Sequence, residues 1–216
     1  MLFIMDVSPL NYKELMKYVS KQRIVKTNNF KFERDRKLSI GSEILLLYGL
    51  NKLDITNPII EEDGYGKPYL LDFEDVFFNI SHSFNYVACG ISNKPIGVDI
   101  EYIKPIDFEI TNMFFFKKEY DYILNSKNKN EAFYKIWVLK ESFAKMMGLG
   151  FHLNPKEYSV FDGENFTPYF KEKSLKKIKL NSWDISNNEY KLGLSSFKQM
   201  KTTEITTNEL SNYFKF

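Results

Sequence analysis

Residues 97–101 read Gly-Val-Asp-Ile-Glu. In a strand, residues i and i+2 share a face, so Asp99 and Glu101 project together while Val98 and Ile100 turn toward a core. Two adjacent carboxylates repel, and burying either is costly unless a cation compensates. A divalent metal is one solution and a Lys or Arg is another. An ordinary amphipathic strand with a solvated acidic face has the same pattern. Residues 137–145 read Trp-Val-Leu-Lys-Glu-Ser-Phe-Ala-Lys. Glu141 and Lys145 lie four apart on one helix face. They are either a surface ion pair worth about 0.3–0.5 kcal/mol, or a third oxygen ligand beside a phosphate-binding ammonium. The second arrangement suits Mg2+, which takes a few carboxylates together with substrate phosphates and water.

Three weaker features accompany these. Asn79-Ile80-Ser81-His82-Ser83 closes a predicted strand, and a hydroxyl–imidazole–hydroxyl cluster there could hold a phosphate. Adjacent residues of an extended chain point apart, which counts against a Ser/His nucleophile pair. Tyr65-Gly66-Lys67-Pro68 is too short for a phosphate loop and reads alone as a turn with an exposed Lys. Residues 17–37 hold eight basic side chains against two acidic ones, either a solvated face or an anion site.

The composition bounds what such residues serve. The chain has 216 residues, 30 basic and 28 acidic side chains, and a formal charge of +2. That balance argues against a general nucleic-acid binder. Hydrophobic residues at 44% and aromatics at 17% supply a sizeable core. One cysteine, Cys89, excludes an internal disulfide, and with two His it is too few for a usual zinc cluster. The opening Met-Leu-Phe-Ile-Met-Asp lacks the basic region of a signal peptide. No run approaches the ~18 apolar residues of a membrane span. The expectation is a soluble cytoplasmic protein.

The elements that must position these residues follow from periodicity. Strands are predicted over 2–7, 76–80, 86–92 and 96–100, the last three as an antiparallel meander. Helices are predicted over 11–19, 38–50 with Gly49 as its stop, 113–124, and 131–147 with Gly148 and Gly150 as stops. Strands over 158–161, 182–185 and 191–197 follow. This order suggests two similar α+β halves, 1–103 and 104–216. Three Phe in a row at 114–116 cannot all face one core from a helix. They are either exposed for an incoming partner helix or buried between the halves.

Taken in order, YGKP, FNISHS, IGVDIE and WVLKESFAKMMGLG closely resemble the 4′-phosphopantetheinyl transferases, in particular the larger monomeric type that serves peptide and polyketide synthases. The resemblance implies an α+β fold of two pseudo-two-fold halves, each a small antiparallel sheet packed with a long helix. Coenzyme A and Mg2+, with Mn2+ as the alternative ion, would bind in the cleft between the halves. An apo acyl or peptidyl carrier protein would supply the acceptor serine, so the enzyme needs no nucleophile of its own. By matching motifs, Asp99, Glu101 and Glu141 would hold the metal. Glu141 is the candidate base and Lys145 would neutralise the pyrophosphate. Ser81 and His82 would contact phosphate, with His82 near the 3′-phosphate, Lys67 would meet the adenine nucleotide end, and Lys140 a nearby phosphate or the helix surface. Lys37 stands where the family has a phosphate-binding Arg, with Arg34 and Arg36 as neighbouring substitutes. Lys21 matches a further basic contact, and Glu119 a family acidic position near the metal. The competing reading is a Mg2+-dependent hydrolase of coenzyme A or a related nucleotide pyrophosphate. A non-catalytic module binding coenzyme A or a carrier is the other rival.

Overall fold

The computed structural model describes residues 1–108, 114–149, 153–171 and 173–214. In chain order, β1 (Leu2–Asp6), α1 (Tyr12–Leu15), α2 (Lys21–Asn28) and α3 (Glu33–Asn51) are followed by β2 (Ile60–Glu62) and β3 (Pro68–Leu70). Strands β4 (Phe77–Ser83), β5 (Tyr86–Ser92) and β6 (Gly97–Tyr102) lead to helices α4 (Lys117–Asn125) and α5 (Lys129–Met147). The chain ends with β7 (Tyr158–Ser159), β8 (Tyr169–Phe170), β9 (Lys173–Ser174), β10 (Lys179–Ile185), β11 (Tyr190–Ser196), β12 (Thr202–Glu204) and α6 (Thr207–Phe214). This is the expected α+β mixture of small sheets and helices.

Two sheets dominate. One has the order β12-β1-β5-β4, antiparallel except where β1 and β12 run parallel. The other is antiparallel, in the order β10-β11-β6. Strand alternation decides what each face meets. Leu2, Ile4, Ala88, Val98, Ile100, Leu192 and Leu194 form one buried cluster between the sheets. Phe3, Met5, Val87 and Cys89 turn the other way, onto the apolar face of α3. On the second sheet the opposite face receives α5.

Several expectations change. β6 pairs with β11 and not with β5, so 76–100 is a hairpin and a departing strand and not a meander. The α3 helix starts at Glu33, ahead of the expected 38, since a charged first turn hides the apolar period from the sequence; Glu33 and Asp35 there suit the positive helix end. It also runs through Gly49. A Cβ at Gly49 would lie 2.5 Å from Ile91 Cδ1, so that glycine serves close packing and not termination. The 11–19 helix is cut to one α turn and a 3-10 turn, Met16–Tyr18. The 113–124 helix begins only at Lys117. Phe116 precedes it in extended conformation, its N–H donating to Glu119 Oε2 at 3.0 Å. Met113 and Gly150 lie outside the described residues. Gly148 ends α5 as expected, with φ of 73° in the left-handed region. Segments β2, β3, β12, α2 and α6 had no predicted counterpart.

Helix α5 can sit flat on the second sheet because two glycines face it. A Cβ at Gly97 would lie 1.8 Å from the Ser142 carbonyl oxygen, and one at Gly193 would lie 2.4 Å from that of Val138. Both clashes are with helix backbone, which cannot rotate away. At Gly90 the nearest atoms are side-chain tips, Val98 Cγ2 at 2.7 Å and Ile96 Cδ1 at 2.8 Å. Gly97→Ala therefore destabilises by about 3 kcal/mol or more and Gly90→Ala by about 1–2 kcal/mol, read as urea midpoints at unchanged m-value. Equal losses would mean that α5 is not seated through Gly97.

Candidate active site

Strand β6 is the edge of its sheet. Its pairing with β11 leaves the amides of Val98, Ile100 and Tyr102 without a strand partner. Side chains of β4 take them. Asn79 Oδ1 accepts from Val98 N–H at 2.8 Å, Ser81 Oγ from Ile100 at 3.4 Å, and Ser83 Oγ from Tyr102 at 3.0 Å. Asn79, Ser81 and Ser83 are thus a period-two ladder that joins the two sheets. The same hydroxyls hold the carboxylates: Ser81 donates to Asp99 Oδ1 at 2.9 Å and Ser83 to Glu101 Oε2 at 3.0 Å.

Asp99 and Glu101 face α5, as the alternation predicted. Asp99 is only 3% exposed. Lys145 Nζ lies 2.6 Å from its Oδ1 and donates to Ser81 Oγ at 2.9 Å. The Oδ2 of Asp99 is buried with no hydrogen-bond partner among the described residues. Burial pushes the Asp99 carboxyl above the usual range, against the pull of Lys145. Burial and then the Asp99 charge push Glu101 up, offset by hydrogen bonds from Ser83 and Trp137. Glu141 rises for the same two reasons, against Lys145. The three carboxylates therefore feel one another. Among the described residues no three Asp, Glu, His or Cys side chains form a ready-made cation cage. The donor chemistry nevertheless fits one: hard oxygens, mutual repulsion and an orphaned buried Oδ2.

His82 points the other way along β4, into a cleft of about 670 Å3. Arg23, Lys26, Gly66, Pro68 and Glu43 also line it. The surrounding protein, then Lys145, and more weakly Arg23 and Lys26, hold the imidazole below its ordinary pKa. Glu43, 3% exposed on α3, anchors this wall: it accepts from Ser20 N–H at 2.5 Å and from Arg23 Nε at 2.8 Å. A larger cavity of about 890 Å3, between the start of α4 and β7–β8, touches none of Asp99, Glu101 and Glu141.

The remaining basic residues have other posts. Lys140 is 1% exposed and reaches neither a cleft nor the surface. It donates to Glu119 Oε2 at 3.0 Å and to the carbonyls of Pro155 at 3.0 Å and Tyr158 at 2.7 Å. Glu119 is fully buried with it and also accepts from Ser159 Oγ and Val160 N–H. Both are structural hubs of the C-terminal core. Lys67 Nζ donates to the carbonyls of Lys145 at 2.8 Å and Met146 at 3.2 Å, capping the end of α5. Lys37 Nζ bonds Ser8 O at 2.7 Å and Arg36 Nε bonds Phe30 O at 3.0 Å. Lys21 is exposed on α2, and none of these three lines the His82 cleft. The cleft cations are Arg23 and Lys26, which no motif singled out. Their signal was the i, i+3 spacing inside the basic segment.

Comparison with known proteins identifies the family. Residues 95–203 match the family model of the 4′-phosphopantetheinyl transferase superfamily. The chain is 38% identical over 164 residues to the 4′-phosphopantetheinyl transferase Sfp of Bacillus subtilis, covering 70% of this chain and 71% of that protein. It is 32% identical over 184 residues to the transferase gsp of Aneurinibacillus migulanus, covering 81% and 76%. It is 30% identical over 157 residues to the transferase HetI of Nostoc sp., covering 68% and 66%. The chain belongs to the 4′-phosphopantetheinyl transferase superfamily and is an enzyme of that type; nothing in the comparisons supports the hydrolase reading. Among the described residues no helix is long and apolar enough to cross a membrane.

The buried Lys140–Glu119 pair gives a prediction that separates it from the site. Lys140→Met leaves Glu119 uncompensated and costs about 3–5 kcal/mol. Lys140→Met with Glu119→Leu recovers part of that loss in urea unfolding. Lys140→Met as stable as the wild type would show that the ammonium is not the counter-charge of Glu119.

Proposed function

We propose that this enzyme transfers the 4′-phosphopantetheine arm of coenzyme A to a serine of an apo acyl or peptidyl carrier protein, releasing 3′,5′-ADP, in a reaction that requires Mg2+ or Mn2+. Asp99, Glu101 and Glu141 hold the ion. The observation that carries this assignment is Asp99, buried with one orphaned carboxylate oxygen beside two further acids. When bound, the ion would neutralise the pyrophosphate and polarise its phosphoryl oxygens.

The chain's own residues do the rest. Arg23, Lys26 and His82 bind the 3′-phosphate end in the cleft, and the Gly66–Pro68 turn borders the adenine. The carrier serine Oγ attacks the phosphorus that bears the pantetheine arm. A serine O–P bond forms as the bridging P–O bond of the pyrophosphate breaks, and the electron pair leaves on 3′,5′-ADP. Glu141, directly or through a water, receives the serine proton. Lys145 offsets charge developing on the leaving phosphate. Positioning and charge stabilisation supply most of the rate, as in phosphoryl transfer generally. We read residues 1–103 and 104–216 as two halves that exchange strands, β6 to β11 and β12 to β1. The acids and the basic cleft belong to one chain, so the reading needs no second copy, and we take the enzyme to act as a cytoplasmic monomer.

Two measurements test this. Asp99→Asn and Glu141→Gln should each lower transfer at least about a thousandfold, scored as the mass gained by an apo carrier, with unchanged circular dichroism. Near-wild-type transfer by either would sink the assignment. Arg23→Gln and His82→Ala should raise KM for coenzyme A about tenfold but leave 3′-dephospho-coenzyme A unaffected. An equal rise for both substrates would place the 3′-phosphate elsewhere.

A further inference from the structure

Two features of Asp99 do not sit easily together. Its Oδ1 is satisfied twice, by Ser81 and by the Lys145 ammonium at 2.6 Å, while its Oδ2, equally buried, has nothing. One ammonium is also outnumbered, since Glu101 shares the strand face of Asp99 and Glu141 lies one turn before Lys145 on α5. A single charge on one oxygen stabilises this site without completing it.

Lys145 is built to leave. Its side chain is 31% exposed, against 5% for that of Asp99, so the ammonium enters from the open side. Its backbone is fixed independently, because Lys67 Nζ caps the Lys145 carbonyl at 2.8 Å. The helix end therefore stays put while the four-carbon stem is free to swing.

We propose that Lys145 is an internal stand-in for the divalent cation: in the ligand-free enzyme its ammonium neutralises Asp99, and a cation arriving at Asp99 displaces it, leaving it free for the pyrophosphate. This rests on the metal assignment above. It makes metal loading and phosphate capture successive uses of one charge. An ion that joined Asp99 with Lys145 still in place would face a like charge at contact distance. Exchange removes that repulsion and delivers the ammonium only once the ion is present.

The test is Mn2+ binding to the full ligand-free chain, followed by electron paramagnetic resonance of the free ion. Lys145→Met should bind Mn2+ about tenfold more tightly than the wild type, and Lys145→Arg about as the wild type does. Lys26→Met removes an equal charge that does not touch Asp99, and should change affinity by less than about twofold. Asp99→Asn should weaken binding and abolish the gain in the double variant Asp99→Asn/Lys145→Met. If Asp99→Asn weakens binding but Lys145→Met does not tighten it, the exchange is overturned and the metal assignment stands. If Asp99→Asn binds as the wild type does, the metal assignment itself falls. Should Lys145→Met fail to fold, the Lys145 Nζ resonance in the wild type answers instead. It should move to the position of a free lysine as Mg2+ is added, and a resonance unmoved at saturating Mg2+ overturns the proposal.

Discussion

Three backbone amides on the outer edge of β6 have no strand to pair with, and everything at the site follows from how they are satisfied. An unpaired buried N–H is costly. Here Asn79, Ser81 and Ser83 supply the acceptors. Because side chains and not backbone make the bridge, β4 stays paired with β5 while it meets β6. The two sheets can then stack on a shared apolar layer and still be stitched along one border. A serine hydroxyl can accept from an amide and donate to a carboxylate at once. Ser81 and Ser83 use both capacities, so the fold's joint is also the clamp on Asp99 and Glu101.

The second constraint is the face that α5 covers. Most helix–sheet contacts bury apolar side chains, yet this one encloses Asp99, Lys191 and Ser195. Each buried polar group has a named partner. Lys191 pairs with Asp184 and lies 3.5 Å from Glu131, and Ser195 shares a 2.9 Å hydrogen bond with Ser142. Gly97 and Gly193 bring the helix backbone close enough to make these contacts. Among the described residues, only Asp99 Oδ2 is left over on this face. In an interface otherwise fully satisfied, one orphaned oxygen is specific information about what the site binds.

Much of this was legible in the sequence where a period carried it. Alternation put Asp99 and Glu101 on one face and Val98 and Ile100 in the core. The i, i+4 rule put Glu141 and Lys145 together. The Asn-x-Ser-x-Ser alternation is equally visible, but its side chains fit a phosphate site as well as another strand's edge, and the pattern alone does not choose between them. Pairing partners were not legible. Nothing in Gly97–Tyr102 says that β11, almost a hundred residues on, takes the place of β5, because sheet partnership depends on packing of the whole chain. Short polar segments such as β2 and β12 carry too little periodicity to be seen at all.

The lysines show where motif reading ends and geometry begins. Lys140 and Lys145 sit in one motif, yet five residues at about 100° each turn them some 140° apart on the helix. One face of α5 enters the C-terminal aromatic core, where a lysine survives only with a buried acid and carbonyls to receive it. The other lies on β6, where a lysine meets Asp99. Lys67 belongs to a different motif and returns to cap that same helix. All three are cations near the end of one element, and all three would pass for phosphate contacts in a linear reading. Their burial separates them: Lys140 is sealed in, Lys67 is half-buried on carbonyls, and Lys145 alone pairs with a site carboxylate while its stem stays open to solvent. A residue that must serve both the resting site and the reaction has to be held by something that can also release it, and Lys145 is the one so placed.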